Sequence, residues 1–277
     1  MTTFYAPGET WNSKFGAVST SYEECRADIN GIWLSAYAQT QTLFDFDPAT
    51  DGRIIAEVQW LHYIRKGLIG LPLYNPATKT WGQAHTNGAF VFTSYMLENQ
   101  DPENKCIDVV VKPVDKNAMT PQEAERFKGD EMFEIVMNVD NIMDEGNGRK
   151  LLRDLVMKVN TYKCIGDVEE GTKFYVHYSQ VSEKFLKVRD IVLRNRQARR
   201  LVLNHNLKKE GDDIKTIHYP HTIEGLIDSF RDRFVLEGEN GIANKIIETW
   251  KERASQIRVE EISEWGILSF KFILIVT

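Results

Sequence analysis

Six stretches of this chain place apolar residues at the 3.6-residue spacing of an α-helix: about 20–40, 52–70, 80–99, 145–163, 168–180 and 182–199. Each such helix has one apolar stripe that must be covered, and neighbouring helices cover it most simply. Little is left for sheet. Cys106–Pro113 and Met132–Val139 are rich in β-branched residues and read as two strands able to pair, with a polar surface excursion over about 114–131 between them. Phe44–Gly52, punctuated by Pro48 and Gly52, reads as a turn-rich loop. Asp144–Gly148 lacks the alternating ligands and terminal glutamate of a calcium loop, and reads as a turn leading into a helix. The fold class expected is mainly α with minor β (α+β).

After residue 199 the pattern changes. Leu201–Leu203 and Ile214–Ile217 read as short strands around the turn Lys209–Asp213, followed by helices over about 221–235 and 240–258. Gly266–Thr277 is apolar and β-prone, but shorter than the roughly 20 residues that span a bilayer. It reads as a tail foreign to the rest of the chain, with a buried strand as the alternative; exposed, it is an aggregation segment. There are no repeats or low-complexity runs.

A formal charge of -6 disfavours a nucleic-acid or anionic-membrane surface as the main role. The three cysteines, Cys25, Cys106 and Cys164, are odd in number and far apart, as reduced thiols are. Met1–Pro7 shows no basic region followed by an apolar run, so no secretory signal is read there. A cytoplasmic protein is expected.

Chemistry concentrates in Glu23-Glu-Cys-Arg-Ala-Asp28, near the start of the first long helix. Thr20 with Glu23, and Ser21 with Glu24, are spaced as capping boxes. Glu24 and Asp28 are four residues apart and share a helix face, so they repel unless a cation lies beside them. Arg26 lies roughly 200° around the helix from Glu24 and is poorly placed for that. A metal, or a histidine from another helix, serves better. The plain alternative is a solvated helix N-terminus, where acids suit the macrodipole.

Ser21-Tyr-Glu-Glu-Cys-Arg-Ala-Asp28 resembles the second signature of the dipeptidyl peptidase III family of zinc peptidases. Other segments follow in the family's order: Gly8-Glu-Thr-Trp-Asn-Ser-Lys-Phe15, Val58-Gln-Trp-Leu61, Arg65-x-Gly67-Leu68, Trp81-Gly-Gln-Ala-His85, and Leu193-Arg194 through Arg199-Arg200-Leu201. The likeness runs from about residue 8 to about 255 and is weaker between 100 and 150. It implies that Glu24 is a zinc ligand. Asp28, with Glu23 beside it, would then form the layer behind the metal, Asp28 holding a zinc-bound histidine in its proper tautomer. His85 would steady the tetrahedral intermediate of peptide hydrolysis; an ordinary structural histidine is the alternative. Arg199 and Arg200 match an arginine–lysine pair that would meet substrate, against the alternative of a solvated helix end. Where the family usually has an arginine four residues after the histidine, this chain has Ala89.

The family's first signature, His-Glu-x-x-Gly-His, is missing. The residues after His62, His85, His177, His205, His218 and His221 are Tyr, Thr, Tyr, Asn, Tyr and Thr. A catalytic zinc needs three protein ligands and an open position. His218-Tyr-Pro-His221 makes no substitute, because Pro220 breaks any helix face and no carboxylate accompanies it. The resemblance therefore implies the C-terminal portion of a zinc metallopeptidase that releases dipeptides from the N-termini of oligopeptides. It would be monomeric, inactive alone, and unable to hold zinc stably by itself. Residues 1–198 would form a helical zinc-bearing lobe, 199–258 a segment of the opposite α/β lobe, and 259–277 an atypical tail. The alternative is a non-catalytic remnant that binds peptides or partner proteins.

Overall fold

The computed structural model describes residues 3–196 and 205–234. After the short helix α1 (Trp11–Phe15), a single 3-10 turn, Gly16–Val18, runs straight into α2 (Ser19–Ser35). Val18 is already helical at φ -90, ψ -12, and no side chain caps α2. Neither expected capping box therefore forms at the start of α2, because the chain enters from a preceding turn and Thr20 and Ser21 already lie inside the helix. Ser21 instead hydrogen-bonds the Tyr175 hydroxyl across the core.

α3 (Ala38–Leu43) precedes α4 (Pro48–Ile69). The expected loop over 44–52 is shorter than its composition suggested. Asp47 accepts from the Ala49 amide and Pro48 takes the first helical position, where its fixed φ suits a helix start. α5 (Ala84–Asn99) is capped by Gln83 and starts later than the apolar spacing implied, because β1 (Tyr74–Asn75) and β2 (Thr80–Trp81) form a small hairpin before it. β3 (Ile107–Pro113) pairs antiparallel with β4 (Glu131–Met137), from Ile107 opposite Met137 to Pro113 opposite Glu131. The excursion between them carries the short helix α6 (Pro121–Arg126), begun by a capping box of Thr120 and Glu123. Then come α7 (Val139–Met143), α8 (Gly148–Ile165), α9 (Val168–Ser179) and α10 (Glu183–Asn195). The expected fold class, mainly α with minor β, is the one observed.

α5 is the centre of the core. Asn87 to Thr93 are buried one after another, so the helix is covered all round. Tyr22, Cys25 and Ile29 of α2 pack on one side, Ile64 and Leu68 of α4 on another, and Leu155, Val159 and Tyr175 of α8 and α9 join the same cluster. Two glycines set the spacing. A Cβ on Gly67 of α4 would lie 2.8 Å from the backbone of Ala89, and one on Gly88 of α5 would lie 2.9 Å from the α-carbon of Cys25. Helices approach this closely only where one of them has no side chain.

The chain divides into two compact units, Met1–Gln197 and Ala198–Thr277. In the second unit β5 (Asn206–Glu210) pairs with β6 (Asp213–Ile217) around Gly211, whose φ of +66 suits glycine, and α11 (Ile223–Phe234) follows. Asn206 ties them together, donating to the Tyr219 hydroxyl at 2.8 Å and to the Ser229 carbonyl at 3.0 Å. The expected strand over 201–203, the helix over 240–258 and the tail over 259–277 lie outside the described residues. Among the described residues no helix is long and apolar enough to cross a membrane.

Candidate functional site

Glu24 and Asp28 project from one face of α2, and the groups that face them come from two other helices. Lys66 of α4 donates to Asp28 Oδ2 at 3.0 Å. His85, in the first turn of α5, turns Nδ1 towards both acids, 3.5 Å from Glu24 Oε2 and 3.6 Å from Asp28 Oδ2. Gly88 against Cys25 brings α5 near enough for this, one turn beyond His85 and one residue beyond Glu24. Both separations are too long for good hydrogen bonds. His85 Nδ1 is buried and has no hydrogen-bond partner, although 43% of the side chain is exposed.

Glu23 does something else. Arg26 grips it with two hydrogen bonds of 2.7 and 2.8 Å, and Lys163 of α8 adds a third at 2.6 Å. The Arg26 hydrogen bonds, helped by Lys163 against a desolvation cost, pull its carboxyl down to about 2. Arg26, too far around the helix for Glu24, serves its neighbour and also reaches Asn160 of α8 at 3.0 Å. Tyr22 donates to the Val159 carbonyl at 3.0 Å beside it, so α2 is held to α8 on the side away from the Glu24–Asp28 face.

Among the described residues, three buried side-chain polar atoms lack a hydrogen-bond partner: Tyr63 Oη, His85 Nδ1 and Asn87 Oδ1. All three belong to α4 or α5, the helices packed on α2. Burial pushes the Tyr63 hydroxyl well above its usual range, with Cys25 and Asp28 adding to the effect. Asn87 donates to Ser21 Oγ at 2.9 Å, one turn before Glu24. It also lines a cavity of about 450 Å³ with Thr20, Trp81, Tyr175 and Ser179.

Zinc is the cofactor that the sequence suggests, and the residues present do not fit it alone. Among the described residues no three His, Cys, Asp or Glu side chains form a group able to hold a metal ion. A tetrahedral site needs at least three donors around one point at about 2 Å. Here Nδ1 faces the carboxylates directly. Ala89, standing where the family resemblance expects an arginine, is fully buried at the α4–α5 crossing, so no guanidinium is offered there. Arg199 and Arg200 lie outside the described residues.

Sequence reasoning anticipated a cation for Glu24 and Asp28 but missed Lys66, Tyr63 and Asn87. Lys66 stands inside the quoted stretch Arg65-x-Gly67-Leu68, yet its partner is 38 residues away and no local spacing joins them.

The family that matches the chain is peptidase family M49, over residues 1–234. The chain is 32% identical to dipeptidyl peptidase 3 of Rattus norvegicus over 239 residues, which are 85% of this chain and 30% of the relative. Against dipeptidyl peptidase 3 of Homo sapiens the identity is 31% over the same shares. Against that of Nematostella vectensis it is 28%, over 90% of this chain and 31% of the relative. The chain thus spans about 30% of the length of the curated relatives it matches.

Proposed function

This chain belongs to peptidase family M49, and from that premise we propose that it is the part of a dipeptidyl peptidase that supplies one carboxylate arm of a zinc site and does not hydrolyse peptides by itself. The observation that carries the reading is the convergence of Glu24 and Asp28 with His85 and Lys66 from two other helices. Glu24 would be a zinc ligand in the completed site. Asp28, steadied by Lys66, is the acceptor that orients an imidazole ligand, since such ligands commonly give their second N–H to a carboxylate. Glu23 lies behind these two and, through Arg26 and Lys163, fixes the helix that presents them.

His85 is the group that meets the substrate. With Nδ1 turned to the carboxylates, Nε2 is left for the substrate, and the doubly protonated ring would donate from it to the oxygen that gains charge during acyl transfer. Arg199 and Arg200 complete the reading as cations for the substrate or the facing lobe. In this reading residues 1–198 belong to the metal-bearing lobe, 199–258 to the opposite one, and 259–277 form a separate tail. The substrates are oligopeptides cut two residues from the N-terminus, the compartment is the cytoplasm, and the protein is monomeric. Ala89 favours a second reading, a remnant that binds peptides without cutting them.

The deciding experiment compares the purified chain with the same chain joined to the part of rat dipeptidyl peptidase 3 that it does not match. Alone with zinc, the chain is expected to leave a dipeptidyl-naphthylamide uncut. The joined protein is expected to cleave it, and Glu24→Ala to remove that cleavage. Hydrolysis by the chain alone sinks the reading. A joined protein that binds peptide but never cuts it selects the remnant.

A further inference from the structure

A cavity of about 620 Å³ opens between the C-terminal half of α2, α3 and the N-terminal half of α4. Its walls include Leu34, Phe44, Phe46, Ile54 and Val58, each between 49 and 66% exposed. Scattered apolar residues on a surface need no explanation, but five of them sharing one groove do. The groove lies between two helices, and such a furrow matches the ridge of a third.

Its direction is informative. Gly31 and Ser35 line the groove and follow Glu24 and Asp28 along α2 at the seventh and eleventh positions, so groove and carboxylates open on one side of that helix. About 10 Å of helix rise separates Glu24 from Gly31. The rim is acidic. Asp45 and Asp47 flank the groove aromatics and Glu57 stands beside Val58, all exposed, while Arg53 is already paired with Asp140. The larger part of each relative, meanwhile, has no counterpart in this chain.

We propose that the groove seats an amphipathic helix with a basic flank, belonging to the part of an M49 protein that this chain does not contain. Its apolar stripe covers Leu34, Phe44, Ile54 and Val58, and its basic residues face Asp45, Asp47 and Glu57. The identity of the occupant rests on the reading of this chain as part of a dipeptidyl peptidase; the role of Glu24 does not enter it.

The full chain is co-expressed with the unmatched part of rat dipeptidyl peptidase 3, and the complex is measured by sedimentation. A one-to-one complex is expected. Val58→Asp and Ile54→Asp, at exposed positions, should keep the circular-dichroism spectrum of the chain and weaken the complex at least about tenfold. Raising salt should weaken it too. Glu24→Ala should leave the complex intact while removing any hydrolysis, which separates a failed docking surface from a failed metal reading. Should the rat part not fold, an array of its peptides, about 25 residues each and long enough for a helix, is probed with both chains. A complex indifferent to Val58→Asp overturns the proposal, as does the absence of any complex or array signal. So does a dimer of this chain alone that Val58→Asp dissociates.

Discussion

Glu23 and Glu24 are neighbours in sequence with different employment, and titration separates them. The Glu23 carboxyl, held by Arg26 and Lys163, sits at about 2 in the folded chain against an ordinary 4.5. A depressed carboxyl stabilises the fold above its unfolded value, and that contribution is lost as pH falls towards its folded value. The window is therefore about pH 4.5 down to 2. With 35% of the side chain exposed, solvent screening limits the effect to about 1 kcal/mol. Glu23→Gln is expected to lower unfolding free energy by that amount at pH 7 and to flatten the acid limb of the stability curve in urea titrations. A curve unchanged by the substitution would show that the three hydrogen bonds contribute nothing net. The motif identified these acids as a group, but not which of them Arg26 would take. That choice depended on Lys163 and Asn160, more than 130 residues away.

At the scale of elements, the spacing of apolar residues gave α2, α4, α8, α9 and α10 to within a few residues, and β-branched runs gave β3 and β4. It was poorer where tertiary contact rather than local pattern decides. The capping boxes failed because a preceding 3-10 turn moved the start of α2, and the β1–β2 hairpin displaced the start of α5. The helix over 80–99 was legible as α5, but its central place in the core was not, since a helix buried on every side does not show which neighbours cover it. Gly67 and Gly88 fix that position. Gly67→Ala would drive a methyl against the Ala89 carbonyl, and Gly88→Ala against the Cys25 backbone. Each is expected to cost about 1–3 kcal/mol, the range for overpacked cores, and calorimetry should register it. Unchanged melting in both variants would mean that the helices slide apart freely.

For the whole molecule, the thiols provide a gauge of folding. Cys25 and Cys106 are buried, and burial raises both thiols, Cys106 to about 11; Cys164 is exposed. An aromatic disulfide reagent is expected to label one thiol in the native chain and three after denaturation, because the reactive species is the accessible thiolate. Labelling of Cys25 without global unfolding would mean that the α2–α5 crossing opens locally. Family and overall class were legible from sequence because motifs and periodicity survive in any segment of a chain. Of the proposed zinc site the sequence offered Glu24 and no histidine followed by glutamate. The groove beside α2 was not legible, since exposed apolar residues look like core residues until the neighbouring elements are in place.

The contact of Gly88 with Cys25 bears on how a mutational scan of this protein would read. Position 88 offers no functional group, yet a single methyl there moves the helix that carries His85 relative to the one that carries Glu24. Ranked by lost cleavage in the joined protein of the proposed function, glycines 67 and 88 would stand beside Glu24. Ranked by exposure or chemistry, they would not be noticed. A scan of the joined protein that scores folding alongside cleavage would tell the two kinds apart: substitutions at Glu24 are expected to lower cleavage alone, and substitutions at the glycines to lower both together.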